Sequence, residues 1–559
     1  MILHSMNGFL IIIFIQNIGH MLASVLRNQE NFSDKSSNVK EVTQHFEIIV
    51  DAGSSGSRMF VYSWAEGLTD ANGLLKLEIY ENPKGYQIVK KVTPGISELI
   101  NNLGHVETYI SELLDFAKSK IPATSHQNTP VYIFATAGMR LLTLSEQEEI
   151  WSRVRNVIKH KYDFKFSDNN ARTISGQEEA LFGWVAVNCI LERFGYNGNE
   201  GKQISTYGML DMGGASMQIS FEDKSNKPIP ADLYRQFVLR TSKPQRELHY
   251  KIYLHSYLSY GANEMRNRYE RYLLYEALKN GNPQNPLMLK DNCLLAGLAT
   301  TTKEIVPRGP NDFKPPGATE KKYQVQFEGA GNYDLCSKSM QPLFDKQANC
   351  GGLPCAVGDV GQPPIDFKSA EFYGLTEFSY SFEDLLKGPI YDHKQVSTNT
   401  KTVCAKDWNT YEKELRAQHA GKPVDELVCF KASYLISMLH FGLHFPEDYN
   451  GLRPIITLAG SEVQWSLGAL FYQLNAIPQS EMPPYLLAIF CSLSVLTILL
   501  VIVFITVLVC KHKRNRAMAS SDVEQPERQH DTLDSTQTSL TSPPVTTNTR
   551  DFLQNPILK

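Results

Sequence analysis

Residues 48–62, IIVDAGSSGSRMFVY, read as an apolar strand ending in Asp51, a turn of small residues and a second, apolar-alternating strand. Residues 210–221, LDMGGASMQISF, repeat the unit around Asp211, 160 positions later. Two copies of one strand-turn-strand unit predict two related α/β halves facing each other, each presenting its turn to a shared cleft. The surroundings agree with an α/β pattern. Strand-like runs FEIIVD (46–51) and VYIFAT (131–136) alternate with helical stretches such as 144–160, whose first turns carry Glu146, Glu148 and Glu149.

Both turns are built to meet an anion. In Gly53, Ser54, Ser55, Gly56 and Ser57, small side chains let the backbone approach a ligand, while hydroxyls and amide N–H groups can bind phosphate oxygens. Gly213, Gly214, Ala215 and Ser216 offer the same from the other side. A single Gly/Ser turn is more often a plain hairpin connection, and the pairing, each behind an Asp, is what carries the reading. A carboxylate at the end of a buried strand is costly unless it meets a cation, so Asp51 and Asp211 are candidates to hold Mg²⁺ or Ca²⁺ directly or through waters. Their bland alternative is an Asx hydrogen bond within the turn. A metal neutralising phosphate charge beside loops that fix the phosphates is most of what phosphoryl transfer requires. Hydrolysis also needs a group that orients and deprotonates water. ISGQEEALFGW (174–184) supplies Glu178 and Glu179 at a helix start, with nothing local to choose between them.

Other chemistries find no support. GYNGNEGKQ (195–203) has the wrong spacing for a Walker A loop and Gln203 where a metal-binding hydroxyl belongs. There is no GxSxG elbow and no HExxH pair, against serine hydrolases and zinc proteases. A formal net charge of -4 gives no sign of a nucleic-acid partner.

At 559 residues the chain needs at least two packing units. Residues 485–510, YLLAIFCSLSVLTILLVIVFITVLVC, carry no charge and as a helix would span roughly 39 Å, more than the hydrocarbon thickness of a bilayer. Pro483 and Pro484 precede it. Lys511, Lys513, Arg514 and Arg516 follow, which predicts a cytosolic C-terminal side and a lumenal or extracellular body. Residues 8–26 fit either a cleaved signal peptide or an uncleaved anchor, after a short cytosolic stretch 1–7. Residues 27–45 read as a polar stalk containing the sequon at Asn31, and 511–559 as a disordered tail. Six cysteines, Cys293, Cys336, Cys350, Cys355, Cys404 and Cys429, lie in the presumed lumenal region and suit three disulfides. Zinc fits poorly without a CxxC pair or His at ligand spacing. Cys189 reads as a buried free thiol.

Five motifs occur in order: VDAGSSGSR (50–58), ATAGMR (135–140), SGQEEALFGW (175–184), LDMGGASMQ (210–218) and LAGSEVQWS (458–466). With them the chain resembles the apyrase-like ecto-nucleoside triphosphate diphosphohydrolases over about 45–480. The resemblance implies two actin/Hsp70-like ribonuclease-H-fold lobes around a nucleotide cleft, one formed by 45–175 and 446–480, the other by 176–445. It implies that Glu179 is the catalytic base, although Ala180 replaces the Gly that follows it in the family. Ser54, Ser55, Gly214, Ala215 and Ser216 map to phosphate loops, and Asp51 and Asp211 to positions orienting metal-bound waters. Thr136 falls beside the attacking water, and Gln218 and Trp465 near the site. Arg58 and Arg140 match motif positions read here as ion pairs supporting the loops. FYGLTEFSYSFEDLL (372–386) resembles the base-contacting region, making Tyr373, Phe378 and Tyr380 candidates to stack on the base. The cysteine order implies the pairs Cys293–Cys336, Cys350–Cys355 and Cys404–Cys429. Closest is the Golgi and endolysosomal branch, which implies UDP or GDP hydrolysis in support of lumenal glycosylation, with a surface apyrase or a non-catalytic ectodomain as alternatives. Membrane helices would also give a route to oligomerisation.

Overall fold

The computed structural model describes residues 43–476 except 83, 198–200, 226–229, 244, 280, 282–286, 313–319, 347–349, 384, 387, 419–420, 422–423 and 459–460, together with Thr506. Two compact units divide the chain at Ile477, and all described residues except Thr506 belong to the first. Among the described residues no helix is long and apolar enough to cross a membrane. The segments 8–26 and 485–510 (Thr506 apart) and Asn31 lie outside the described residues.

The two echoed units each seed a six-stranded sheet. In the first, β1 (Gln44–Ala52) pairs antiparallel with β2 (Ser57–Ala65), which carries β3 (Glu78–Ile79) and β4 (Val89–Val92). β5 (Val131–Ala135) and β6 (Ala171–Thr173) add in parallel on the other side. In the second, β7 (Gly208–Met212) pairs antiparallel with β8 (Ser216–Glu222), followed outward by β10 (Gln245–Leu258) and β9 (Tyr234–Ser242). After an inserted three-stranded sheet of β11 (Leu287–Asp291), β12 (Lys303–Ile305) and β13 (Tyr323–Gly329), β14 (Phe372–Thr376) and β15 (Leu452–Pro454) add in parallel beside β7. Both sheets thus run from an antiparallel meander to parallel strands, with the Asp-bearing strand at the junction.

Helices cover these sheets because strand side chains alternate between two buried faces. Ile48 and Val50 face α1 (Val106–Lys118) and α2 (Leu144–Lys161), where they meet Ile110, Leu114, Trp151 and Val154. Ile49, Phe60 and Phe134 face the opposite way, toward α3 (Gly176–Ile190). The far side of α3 packs on Leu248, Tyr250 and Ile252 of the second sheet. α2 and α3 start alike, each with a reciprocal capping box, Thr143 with Glu146 and Ser175 with Glu178. The segment 446–480, expected to rejoin the first lobe, does so only in part. β15 extends the second sheet, and α7 (Trp465–Asn475) lies against α3 in the layer between the sheets. Between them in the chain come α4 (Ala262–Lys279), α5 (Glu377–Phe382) and α6 (Val428–Ser437). The disulfides Cys293–Cys336, Cys350–Cys355 and Cys404–Cys429 are all formed, and Cys189 is free and half-buried.

Candidate active site

The β1–β2 and β7–β8 turns open on one cleft of about 490 Å³, lined by Asp51, Gly53–Arg58, Thr136, Glu179, Asp211, Gly213–Ser216 and Trp465. Asp51 and Asp211, 160 positions apart, therefore converge because their strands sit at the junctions of two like sheets. A cavity of about 590 Å³ elsewhere, between Leu75–Ile79 and Cys189, Leu467 and Phe471, is larger, but of the five ordered motifs only Leu458 borders it. Size alone does not locate the chemistry.

The turn backbones are free to bind. The N–H groups of Ser54, Ser55, Gly56, Gly214 and Ala215 donate to no other backbone group among the described residues. The turns also touch: a Cβ on Gly214 would lie 2.8 Å from Ser54 Oγ and 2.9 Å from Asn263 Nδ2. Asn263, at the start of α4, reaches Ser55 Oγ at 3.4 Å.

Three carboxylates face this space. Burial pushes Asp51 up to about 7; the Arg58 guanidinium opposes this, the charges of Glu179 and Asp211 add to it, and a Trp465 hydrogen bond opposes it. Burial likewise pushes Asp211 up to about 6, against a Thr376 hydrogen bond and with the Glu179 charge. Glu179 is raised by burial and held down by Arg140. Arg140 Nη2 donates to Glu179 Oε2 at 2.7 Å and to Ser216 Oγ at 3.2 Å, and Nη1 to the Ile174 carbonyl at 3.1 Å. Its ion pair therefore opposes the upward push of burial on the Glu179 carboxyl. Glu178 is committed elsewhere: it accepts from the Ser175 N–H at 2.8 Å and pairs with Arg172 at 2.6 Å. The capping box thus turns Glu178 outward and Glu179 into the cleft.

Gln218 does not line the cleft. It is buried beneath Ser216, donating from Nε2 to Ser216 Oγ at 2.6 Å and to Ser256 Oγ at 2.9 Å. With Arg140 and Gln218 both donating to it, the Ser216 hydroxyl keeps its own proton for a further acceptor. Of the aromatic candidates only Tyr380 borders the cleft, 46% exposed. Tyr373 and Phe378 are corrected to core residues: Tyr373 packs edge-to-face on Tyr207, and Phe378 is sealed in the main core of the second half. Strand alternation in β14 and the inward face of α5 account for both.

Sequence reasoning missed Thr376. Its Oγ1 lies 2.6 Å from both Asp211 Oδ1 and the Met212 carbonyl, and accepts from the Met212 N–H at 3.1 Å. Its backbone has φ +50°, rare for a β-branched residue and a strain tolerated where surrounding structure enforces it. It also missed Lys91, Asn263 and Glu377, which complete the lining. The donor set suits a hard divalent cation: three carboxylates raised by burial, Asp51 and Asp211 also by neighbouring carboxylate charge, gain from one. Among the described residues no three acidic, His or Cys side chains are close enough to cage an ion, so water and phosphate oxygens would complete its shell.

Comparison with known proteins agrees with this geometry. Ectonucleoside triphosphate diphosphohydrolase 4 of Mus musculus is 32% identical over 464 residues, covering 78% of this chain and 74% of that one. Nucleoside-diphosphatase mig-23 of Caenorhabditis elegans is 31% identical over 453 residues, covering 78% of each. The crystal structure of nucleoside triphosphate hydrolases from Neospora caninum shares the fold, with TM-score 0.54 and 15% identity over 82% of this chain and 97% of that one. Residues 37–484 match the GDA1/CD39 (nucleoside phosphatase) family, and the chain belongs to that family as a nucleotide-hydrolysing enzyme.

Proposed function

We propose that this enzyme is a membrane-anchored nucleoside diphosphatase that hydrolyses UDP and GDP to monophosphates on the lumenal side of the Golgi, with Glu179 as its base. The observation that carries the reading is Glu179 itself, inside a cleft between two glycine- and serine-rich turns and paired with Arg140. The N–H groups of the turns, with the Ser54, Ser55 and Ser216 hydroxyls, would bind the phosphate oxygens and fix the terminal phosphorus. Glu179 would orient a water, with Thr136 beside it, and take its proton as oxygen attacks phosphorus. The P–O–P bond then breaks, the nucleoside monophosphate leaves and inorganic phosphate remains. Mg²⁺ or Ca²⁺, near Asp51 and Asp211 through waters, would neutralise phosphate charge when bound. The uncharged run 485–510 and the basic residues after it support the anchor and the lumenal body. The relatives named as diphosphohydrolase and diphosphatase support the substrate class.

Phosphate release by the full-length protein tests this across UDP, GDP, ADP, CDP, UTP and ATP, with Mg²⁺, Ca²⁺ or EDTA. Release from UDP and GDP should require the metal and fall about a hundredfold or more in Glu179→Gln. Dominant ATP turnover would instead make it a surface-type apyrase. No turnover from folded protein would leave a nucleotide-binding ectodomain.

A further inference from the structure

The turns and carboxylates account for the phosphate end of the cleft, but one more carboxylate side chain on its wall has no part in that chemistry. Glu377 is the first residue of α5 and follows Thr376 directly. Helical spacing puts Tyr380 three residues on and Ser381 four residues on along the same face, while Phe378 and Phe382 turn into the core. Glu377 and Tyr380 both line the cleft. Glu377 is 16% exposed, and its charge is balanced by Lys431 Nζ at 3.2 Å, itself paired with Asp425 at 2.8 Å. Ser381 Oγ donates to Glu377 at 2.6 Å. Lys431 and Ser381 both bond Oε1, which leaves Oε2 of this cleft-lining residue to accept from a further donor, with Tyr380, the one exposed aromatic candidate, on the same wall.

From this placement we infer that Glu377 reads the nucleobase, accepting the imino N–H that uracil carries at N3 and guanine at N1. The inference rests on the diphosphatase reading above and gives it a specificity-determining residue. An ionised carboxylate can only accept, so it suits a ring nitrogen that bears hydrogen. Adenine and cytosine present a lone pair at the corresponding nitrogen, which would face the carboxylate oxygen unpaired. A site built around a hydrogen bond to substrate rejects an analogue that lacks the group, because its own buried polar atom is left unsatisfied. Lys431 and Ser381 hold the carboxylate in one orientation, so little ordering remains when the base arrives.

The test measures kcat and KM of the full-length protein for UDP, GDP, inosine diphosphate, ADP, CDP and N3-methyl-UDP, with Glu377→Gln and Glu377→Ala alongside. Wild-type enzyme should favour UDP, GDP and inosine diphosphate, and N3-methylation should cost about ten- to a hundredfold in kcat/KM. Glu377→Ala should lose a similar factor on UDP, carried by KM, lose much less on ADP, and treat UDP and N3-methyl-UDP alike. Glu377→Gln, whose amide can donate as well as accept, should narrow the gap to ADP and CDP. Equal losses on every base would overturn the inference and give Glu377 a ribose-binding or supporting role. Wild-type indifference to N3-methylation would overturn it without any variant, while leaving the diphosphatase reading intact. Failure to hydrolyse any nucleoside diphosphate would remove both.

Discussion

The turn after Asp51 and the turn after Asp211 share a sequence pattern, yet different parts of the chain support them. The first is backed by Gly95, where a Cβ would fall 2.3 Å from the Ser54 carbonyl oxygen. The second is backed by Gly261, where a Cβ would lie 2.4 Å from Gly214 C and from the Ala215 and Ser216 nitrogens. Asp51 is held by Arg58 and by Trp465 from the last helix, Asp211 by Thr376 from a parallel strand. In each half a threonine stands at the end of the parallel neighbour of the Asp strand, Thr376 as the last residue of β14 and Thr136 just after β5, one position further along. The two halves share the glycine- and serine-rich turn and a nearby threonine, while different residues support each.

The largest effects should come from the glycines behind the turns. Neither Gly95 nor Gly261 has a positive φ, so alanine is barred by contact rather than by backbone conformation. Because the opposing atoms are backbone, Gly95→Ala and Gly261→Ala should each push a phosphate turn aside by some tenths of an ångström to an ångström. A drop of about a hundredfold in kcat/KM for UDP is expected. Gly214→Ala meets the side-chain ends of Ser54, Asn263 and Ser55, which can move, so its loss should stay within about tenfold. If Gly214→Ala proves as damaging as Gly261→Ala, contact between the turns, and not the support behind each, controls the site.

The two anchors allow a finer test. Thr376→Val keeps the shape and removes the hydroxyl, while Thr376→Ser keeps the hydroxyl. A loss of one charged hydrogen bond predicts about a tenfold fall in kcat/KM and a higher Mg²⁺ requirement for Thr376→Val, with most activity retained by Thr376→Ser. Trp465→Phe should act similarly on the Asp51 side, since the ring still packs on Phe182 but its N–H is gone. A metal requirement shifted by one variant and not the other would show that the two aspartates hold the ion unequally.

What could be read in advance divides along sequence separation. Asp51, Ser54, Glu179, Asp211 and Ser216 sit in short motifs whose chemistry is local, and the echo between 48–62 and 210–221 indicated two like sheets. Thr376 was not legible, because its partner Asp211 lies 165 residues away and only the β7–β14 pairing brings them together. Local sequence left Glu178 and Glu179 open, the family resemblance chose Glu179, and the capping geometry of α3 gives the physical reason that it is the one in the cleft. Tyr373 and Phe378 were misread because FYGLTEFSY changes from strand to helix at Thr376, so no single periodicity sorts its aromatics into exposed and buried.

The smallest expected effect on catalysis, with a measurable one on stability, lies at the far end of the Asp51 strand. Glu47 is buried four residues before Asp51, at a strand position without an acidic counterpart in β7. Trp64 Nε1 donates to its Oε1 at 3.3 Å, while Oε2 has no partner. Burial raises the carboxyl from 4.5 to about 7, opposed by Trp64 and by the Lys165 charge. The folded protein therefore keeps a proton that the unfolded chain releases above about pH 4.5, so stability falls as pH rises through that window and levels off above about 7. Glu47→Gln cannot ionise and its amide oxygen can still accept from Trp64. Urea unfolding should find variant and wild type within about 1 kcal/mol at pH 5, with the variant more stable at pH 8 by up to about 3 kcal/mol. UDP hydrolysis should be unchanged at both pH values, since Glu47 does not line the cleft. Equal midpoints at pH 8 would mean that Glu47 ionises without cost. The raised Asp51 would then be a property of the cleft alone, not of a strand whose two acids are both poorly solvated.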